Sequence, residues 1–203
     1  MTLWVVKIGT SLLRGETAST IDGYARCFAG AMHRGDQVVL VTSGAVGLGC
    51  QKLALTNRPD TVVALQAAAA IGQGALMALY ERAMERHGRS VAQVLLTRSD
   101  LADRRRYQNA SGTLRQLLSW GVLPVINEND ALSPAELRFG DNDTLSALVA
   151  AAVEAKLLFL LTDVDRLYSS DPRVDANAEP ILDVRHPREL DSLEQGAGEG
   201  GRW

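Results

Sequence analysis

Residues 37–45 read Gln37-Val38-Val39-Leu40-Val41-Thr42-Ser43-Gly44-Ala45. Four consecutive β-branched or leucine residues, with no polar residue alternating among them, are followed at once by two hydroxyls and a glycine. A strand covered on both faces has this composition, and such strands belong to mainly parallel sheets clad in helices. The same grammar recurs outward in both directions. The strand expectations are Leu3–Ile8, Gln37–Val41, Val91–Leu96, Val122–Ile126 and Leu157–Leu161.

Helical patterns fill the intervals. Ser19–Arg34 stops at Gly35, Thr61–His87 at Gly88 and Arg104–Trp120 at Gly121, each glycine standing where a helix C-terminus wants a left-handed residue. Thr61–His87 is long enough to be two helices broken near Gly72. Asp143–Glu154 follows the run Asp141-Asn142-Asp143, which can cap it. Leu132–Phe139 has the makings of a small hairpin. The βαβαβαβ order predicts an α/β fold, a three-layer αβα sandwich around a mostly parallel central sheet.

Bulk properties bound what the chain can do. Its 203 residues suit one domain or a large part of one, and 46% apolar residues can bury a sizeable core. A net charge of -3 argues against a polyanion-binding surface, so no nucleic-acid partner is expected. Ala64–Ala78 is apolar but interrupted by Gln66, Gln73 and small residues, and reads as a buried helix with no membrane role. Two cysteines, Cys27 and Cys50, form no CxxC pair and no metal cluster with His33, His87 and His186; a reduced, cytoplasmic setting and no protein-bound metal centre are expected.

Polar residues collect where each strand ends. The clusters are Lys7–Ser11, Thr42–Ala45, Thr97–Asp100, Asn127–Asp130 and Thr162-Asp163. Open parallel sheets bind ligands outside the carboxyl ends of their strands, so five such clusters predict one functional rim. Gly9-Thr10-Ser11 and Ser43–Gly49 lie at strand-to-helix turns, where backbone amides can face an anion. Neither matches a P-loop or a dinucleotide fingerprint, and close packing of turn glycines accounts for them equally well. Lys7 says more. It is one of three lysines and stands inside an apolar strand, where an ammonium needs a partner or a ligand. A cation there suits the oxygens of a transferring phosphoryl group; a lysine reaching solvent from the strand end is the simpler alternative. Asp141, Asn142 and Asp143 exceed what one helix cap requires, which favours an added carboxylate that orients lysines or Mg²⁺. Arg104-Arg105-Arg106 begins a helix whose dipole disfavours cations, so a solvated face or a subunit contact is expected there.

Taken together, Val5–Ser11 (VVKIGTS), Val41–Gly49 (VTSGAVGLG), Val94–Asp100 (VLLTRSD), Val122–Asp130 (VLPVINEND), Phe139–Ala150 (FGDNDTLSALVA) and Leu160–Arg173 (LLTDVDRLYSSDPR) resemble the amino acid kinase family, and within it the members that phosphorylate glutamate. INEND combined with GDNDTLSA carries the finer resemblance. It implies transfer of the ATP γ-phosphate to the side-chain carboxylate of L-glutamate, with Mg²⁺, at the start of proline synthesis. By position, Lys7, Gly9, Thr10 and Ser11 would meet the ATP phosphates, and Thr162 and Asp163 the nucleotide. Ser43, Asp130 and Asn142 would hold glutamate, and Asp143 would organise the catalytic lysines. Asp130 suits the substrate ammonium, while Ser43 and Asn142 suit its carboxylates as donors. A carboxylate with a pKa near ~4.3 is already a nucleophile at neutral pH, so no general base is required. The resemblance also implies a homo-oligomer and feedback inhibition by proline.

The family pattern goes on to a GTGGMxTK nucleotide loop with a second lysine, and often to a PUA domain. Gly196–Trp203 resembles the approach to that loop, so residues 1–203 are expected to be an incomplete kinase domain with no PUA domain. Neither Lys52 nor Lys156 is placed to substitute, so the chain is expected to bind glutamate better than it catalyses; one lost charge-stabilising donor costs about 10²–10³ in rate. The competing expectations are another member of the family, directed at acetylglutamate, aspartate or isopentenyl phosphate, and a non-catalytic module that senses glutamate or proline.

Overall fold

The structure, a computed structural model, describes residues 1–13, 17–131, 142–190 and 193. Five parallel strands, β1 (Leu3–Ile8), β2 (Gln37–Val41), β3 (Val91–Leu96), β4 (Leu123–Glu128) and β5 (Leu157–Leu161), form one sheet in the order β3-β4-β2-β1-β5. β1 pairs with β2 from Leu3↔Gln37 to Lys7↔Val41 and with β5 from Trp4↔Leu157 to Ile8↔Leu161. Four of the expected strands have the observed bounds. The fourth begins one residue later and runs on to Glu128, because Asn127 and Glu128 still pair with Leu95 and Leu96.

Among the described residues six α-helices cover the sheet: α1 (Thr17–His33), α2 (Ala45–Lys52), α3 (Val62–Glu85), α4 (Arg98–Ala102), α5 (Arg104–Ser119) and α6 (Asn142–Val153). Strand side chains alternate between two cores. Val6, Ile8, Val38, Leu40 and Val125 pack with α1, α2 and α3. Val5, Val39, Val41 and Ile126 pack with Leu114 of α5 and Leu145 and Val149 of α6. This is the three-layer sandwich expected from the apolar runs. The glycines after α1, α3 and α5 all adopt left-handed backbone, with φ of 89° at Gly35, 66° at Gly88 and 71° at Gly121. Glu154 closes α6 in the same way at φ 56°.

Three features depart from expectation. First, α3 is not broken at Gly72. It is one helix of 24 residues, long and apolar enough by length and composition to cross a membrane, but here it packs on α1, α2 and the sheet. Gly72 serves a helix crossing: a Cβ there would lie 1.8 Å from the Ala45 carbonyl oxygen, and a Cβ on Gly49 would lie 1.8 Å from that of Ala68. Second, β5 is not covered on both faces. Leu157, Phe159 and Leu160 are exposed, since β5 ends the sheet among the described residues. Third, the Thr97–Asp100 cluster forms a capping box for α4: Thr97 Oγ1 accepts from Asp100 N while the Asp100 carboxylate accepts from Thr97 N at 2.8 Å. Thr97 and Arg106 hold that carboxyl below its usual range. A two-stranded antiparallel ribbon, β6 (Leu167–Tyr168) with β7 (Pro180–Ile181), was not foreseen. The hairpin expected at 132–139 lies outside the described residues, as do Asp141 and residues 196–203.

Candidate functional site

Strand alternation decides which helix each polar residue meets. Lys7 follows Val5 on the face that receives α6, one pleat beyond the last apolar residue of that stripe. α6 begins at the same height, so Lys7 Nζ lies 2.7 Å from Asp143 Oδ1 in the first turn of α6. The Lys7 side chain is 13% exposed and that of Asp143 57%. A mostly buried ammonium thus has its counter-charge, and its open side faces the strand-end rim.

The turn after β1 is a single 3-10 turn, Thr10–Leu13. Gly9 N donates to Leu161 O at 3.1 Å, which ties this turn to the end of β5 and to Thr162-Asp163. A Cβ on Gly9 would sit 3.4 Å from Lys7 Nζ and 3.7 Å from Ser11 Oγ. These are ordinary contact distances, so Gly9 is not required by packing; the turn sets an ammonium and a hydroxyl, Lys7 and Ser11, on either side of it. Thr162 and Asp163 are exposed and bond each other, Oγ1 donating to Oδ1 at 3.1 Å. Among the described residues no cluster of three histidines, cysteines or carboxylates could hold a metal by itself. The described donor set, with isolated carboxylates such as Asp143 and Asp163, fits a Mg²⁺ that keeps several waters and phosphate ligands, its common mode of binding.

The second half of the rim is built from amides. Asn142 Nδ2 lies 2.7 Å from Thr42 O, 2.6 Å from Ser43 Oγ and 3.1 Å from Asn127 Oδ1. Three acceptors already compete for its two hydrogens. Asn142 Oδ1 is buried with no hydrogen-bond partner among the described residues. The unused hydrogen-bonding capacity of Asn142 is therefore that of an acceptor, where the sequence suggested a donor. Ser43 Oγ accepts from Asn142, so its own hydrogen remains free to donate. Asn127 belongs to the expected Asn127–Asp130 cluster but had no role of its own there, and Gln73 was not foreseen. Asn127 Nδ2 donates to Gln73 Oε1 at 2.9 Å, and Gln73 Nε2 to Gln93 Oε1 at 3.3 Å. Beside them Thr42 Oγ1 shares a 2.9 Å hydrogen bond with Tyr80 Oη. The signal for Gln73 in the sequence is a polar residue inside an otherwise apolar helix.

Asp130 lies past the end of β4 and lines a cavity of about 30 Å³ with Gln73, Ala69, Ala45 and Glu128. Burial first, and then the Glu128 charge, push its carboxyl up to about 7 against the opposing charge of Arg58. The structure thus brings Lys7 to Asp143 and Ser43 to Asn142, and stacks Gly9 and Thr162 at adjacent strand ends. Ser43 and Asp130 are each one residue from Gly44 and Asn129 on neighbouring rim turns. Lys52 is exposed at the last turn of α2, and Lys156 N bonds Leu3 O at the opposite edge of the sheet. Arg104, Arg105 and Arg106 are exposed, with Arg106 paired to Asp100 at 3.1 Å.

The model of the amino acid kinase family matches residues 2–202. A glutamate 5-kinase of Synechococcus sp. (strain CC9605) is 95% identical over 203 residues, covering 100% of this chain and 57% of that protein. One from Prochlorococcus marinus (strain MIT 9313) is 70% identical over 207 residues with the same coverage. The chain therefore spans 57% of the length of these curated relatives. An aspartate kinase from Synechocystis superposes with a TM-score of 0.57 at 19% identity, over 88% of this chain and 31% of that one. At that identity the likeness concerns the fold.

Proposed function

The chain belongs to the amino acid kinase family, and from that premise we propose that its rim phosphorylates the side-chain carboxylate of L-glutamate with ATP, the first step of proline biosynthesis. The observation that carries this reading is the pairing of Lys7 with Asp143 next to an amide cluster whose free atoms are one acceptor and one hydroxyl donor. Phosphoryl transfer needs alignment and charge stabilisation more than covalent participation by the protein. Lys7, held by Asp143, meets negative charge on the phosphoryl oxygens; Gly9, Thr10 and Ser11 leave and line the space for phosphate. Thr162 and Asp163 stand at the nucleotide. Mg²⁺ would travel with the nucleotide, with Asp143 and Asp163 as carboxylates that could help hold it, and would supply further neutralisation of phosphate charge.

The acceptor is a zwitterion. Asp130 and Asn142 Oδ1 suit its ammonium, and the Ser43 hydroxyl donates to a carboxylate. The reacting carboxylate is ionised at neutral pH and attacks without a base. Accordingly His33 bonds Ala29 O on α1, away from the rim. Inhibition by proline, assembly as a homo-oligomer, a cytoplasmic location and assignment of residues 1–203 to a single kinase domain accompany this reading. Calorimetry of the chain with L-glutamate, N-acetylglutamate and L-aspartate tests it, together with hydroxylamine trapping of glutamate-dependent acyl phosphate. Preference for either other amino acid over L-glutamate would refute it.

A further inference from the structure

A line of side-chain amides runs from the middle of β3 to the carboxyl end of the sheet, and only its last member belongs to the binding set described above. It begins at Gln93 on β3, an exposed position. It passes inward to Gln73 on α3, which is 9% exposed, then to Asn127 on β4, which is 2% exposed, and reaches Asn142 at the start of α6, which is 5% exposed. The topology makes this line. Asn127 follows Leu123 and Val125 on the pleat that faces α3, so its side chain meets Gln73. Asn142 stands at the mouth of the opposite helix layer and reaches over the strand ends.

Each amide has two unlike ends, so a bond at one end decides the other. Asn127 Oδ1 accepts from Asn142 Nδ2 at 3.1 Å and from Glu128 N at 2.9 Å. That leaves its Nδ2 to be satisfied in a buried place, and Gln73 Oε1 does so at 2.9 Å. If Gln73 supplied no acceptor, the buried Nδ2 would be orphaned, and the incentive for Asn127 to turn would set it against Asn142. Asn142 keeps its nitrogen on Thr42 O, Ser43 Oγ and Asn127 Oδ1, and its Oδ1 alone lacks a protein partner.

We infer that Gln73 is a positioning residue: acting through Asn127, it fixes the Asn142 amide so that Oδ1 is presented as an acceptor to the ammonium of the substrate. This rests on the glutamate-binding reading above. The hydrogen bonds of Gln73 go to Asn127 and Gln93, neither of them assigned to the substrate. Its side chain shares the Asp130 cavity, so the two groups proposed for the ammonium are both backed by one helix.

The test is calorimetry of L-glutamate and of a non-hydrolysable ATP analogue with the parent chain, Gln73→Leu and Gln73→Glu. Gln73→Leu weakens glutamate binding about tenfold, the effect of one hydrogen bond's worth of misorientation, and leaves nucleotide binding within about twofold. Gln73→Glu keeps an oxygen against Asn127 and recovers most of the loss. Parent affinity in Gln73→Leu, equal losses for both ligands, or no recovery in Gln73→Glu overturns the inference. If Gln73→Leu does not fold, Gln93→Ala at the exposed end of the line decides: about threefold weaker glutamate binding supports the relay, and an unchanged affinity overturns it. If the parent chain binds no glutamate, the functional reading has failed, and the relay is judged by the side-chain amide resonances of Asn142. Their displacement in Gln73→Leu supports it, and their constancy overturns it.

Discussion

Lys7 Nζ and Asp143 Oδ1, 136 positions apart in the chain, lie 2.7 Å apart because β1 and α6 pack on the same face of the sheet. The pair joins the last buried turn of a strand to the first turn of a helix, where a carboxylate also complements the helix dipole. Lys7→Ala is expected to lower glutamate-dependent acyl phosphate formation by about 10²–10³, with an unchanged circular dichroism spectrum. An unchanged rate would remove Lys7 from the mechanism. Asp143→Asn keeps a hydrogen-bond acceptor but loses the charge, and its loss of rate should fall between those of the parent and Lys7→Ala.

Asp130 should make glutamate affinity depend on pH. Its carboxyl is pushed up to about 7, so it is mostly protonated near pH 6 and mostly ionised near pH 8. Binding an ammonium favours the ionised form, so affinity rises across this interval and binding below pH 7 releases a proton. Calorimetry in two buffers of different ionisation enthalpy reads that proton directly. An affinity independent of pH from 6 to 8 would exclude Asp130 from the ammonium site.

The same residue predicts a change in stability of opposite sense. Between the ordinary carboxylate range and about 7 the folded chain retains a proton that the unfolded chain has released, so stability falls as pH rises through this window. Asp130→Asn removes the ionisation. It should stabilise the chain at pH 8 by on the order of 1–2 kcal/mol, after discounting for partial exposure, and by almost nothing at pH 4. Urea denaturation at the two pH values measures it.

Gly72→Ala should be far worse than a helix-propensity argument implies. Alanine is the better helix former, yet its Cβ would lie 1.8 Å from Ala45 O and 2.5 Å from Gly49 N. α2 must move, and Ala45 is two residues from Ser43. A stability loss of about 1–3 kcal/mol or more is expected, with weaker glutamate binding; Gly74→Ala, where a Cβ meets nothing within 4 Å, should be neutral or stabilising. Thermal melts of the two variants settle the comparison.

Tyr80→Phe tests the buried hydroxyl pair behind Ser43. Burial raises the Tyr80 phenol well above its usual range, so it stays protonated and bonded to Thr42. Its removal leaves Thr42 Oγ1 with only a 3.3 Å bond to Ser43 O and should cost about 1–2 kcal/mol in denaturant unfolding. Equal stability of the two proteins would show that the pair adds nothing.

Much of this molecule follows from local sequence. Apolar runs such as Val38–Val41 are too continuous for a half-exposed strand, and glycines at 35, 88 and 121 stop helices where only a left-handed residue fits. Composition and chain order therefore determined the parallel sandwich, and the strand-end rule picked out Lys7, Ser43 and Asp130, while Asn142 and Asp143 stood out as more than one helix cap requires. Other properties belong to contacts between segments distant in the chain. A glycine in α3 reads as a break until the backbone of α2 is seen against it. β5 reads as a buried strand, and its exposure depends on being at the edge of the described sheet. An asparagine can donate or accept; which end Asn142 offers is decided by Thr42 O, Ser43 and Asn127, and through Asn127 by Gln73, 69 positions away in the chain. Sequence specified which chemical groups stand on the rim, because strand and helix periods are local. Tertiary structure alone decided how those groups are turned, because a hydrogen bond has a direction and its partners come from elsewhere in the fold.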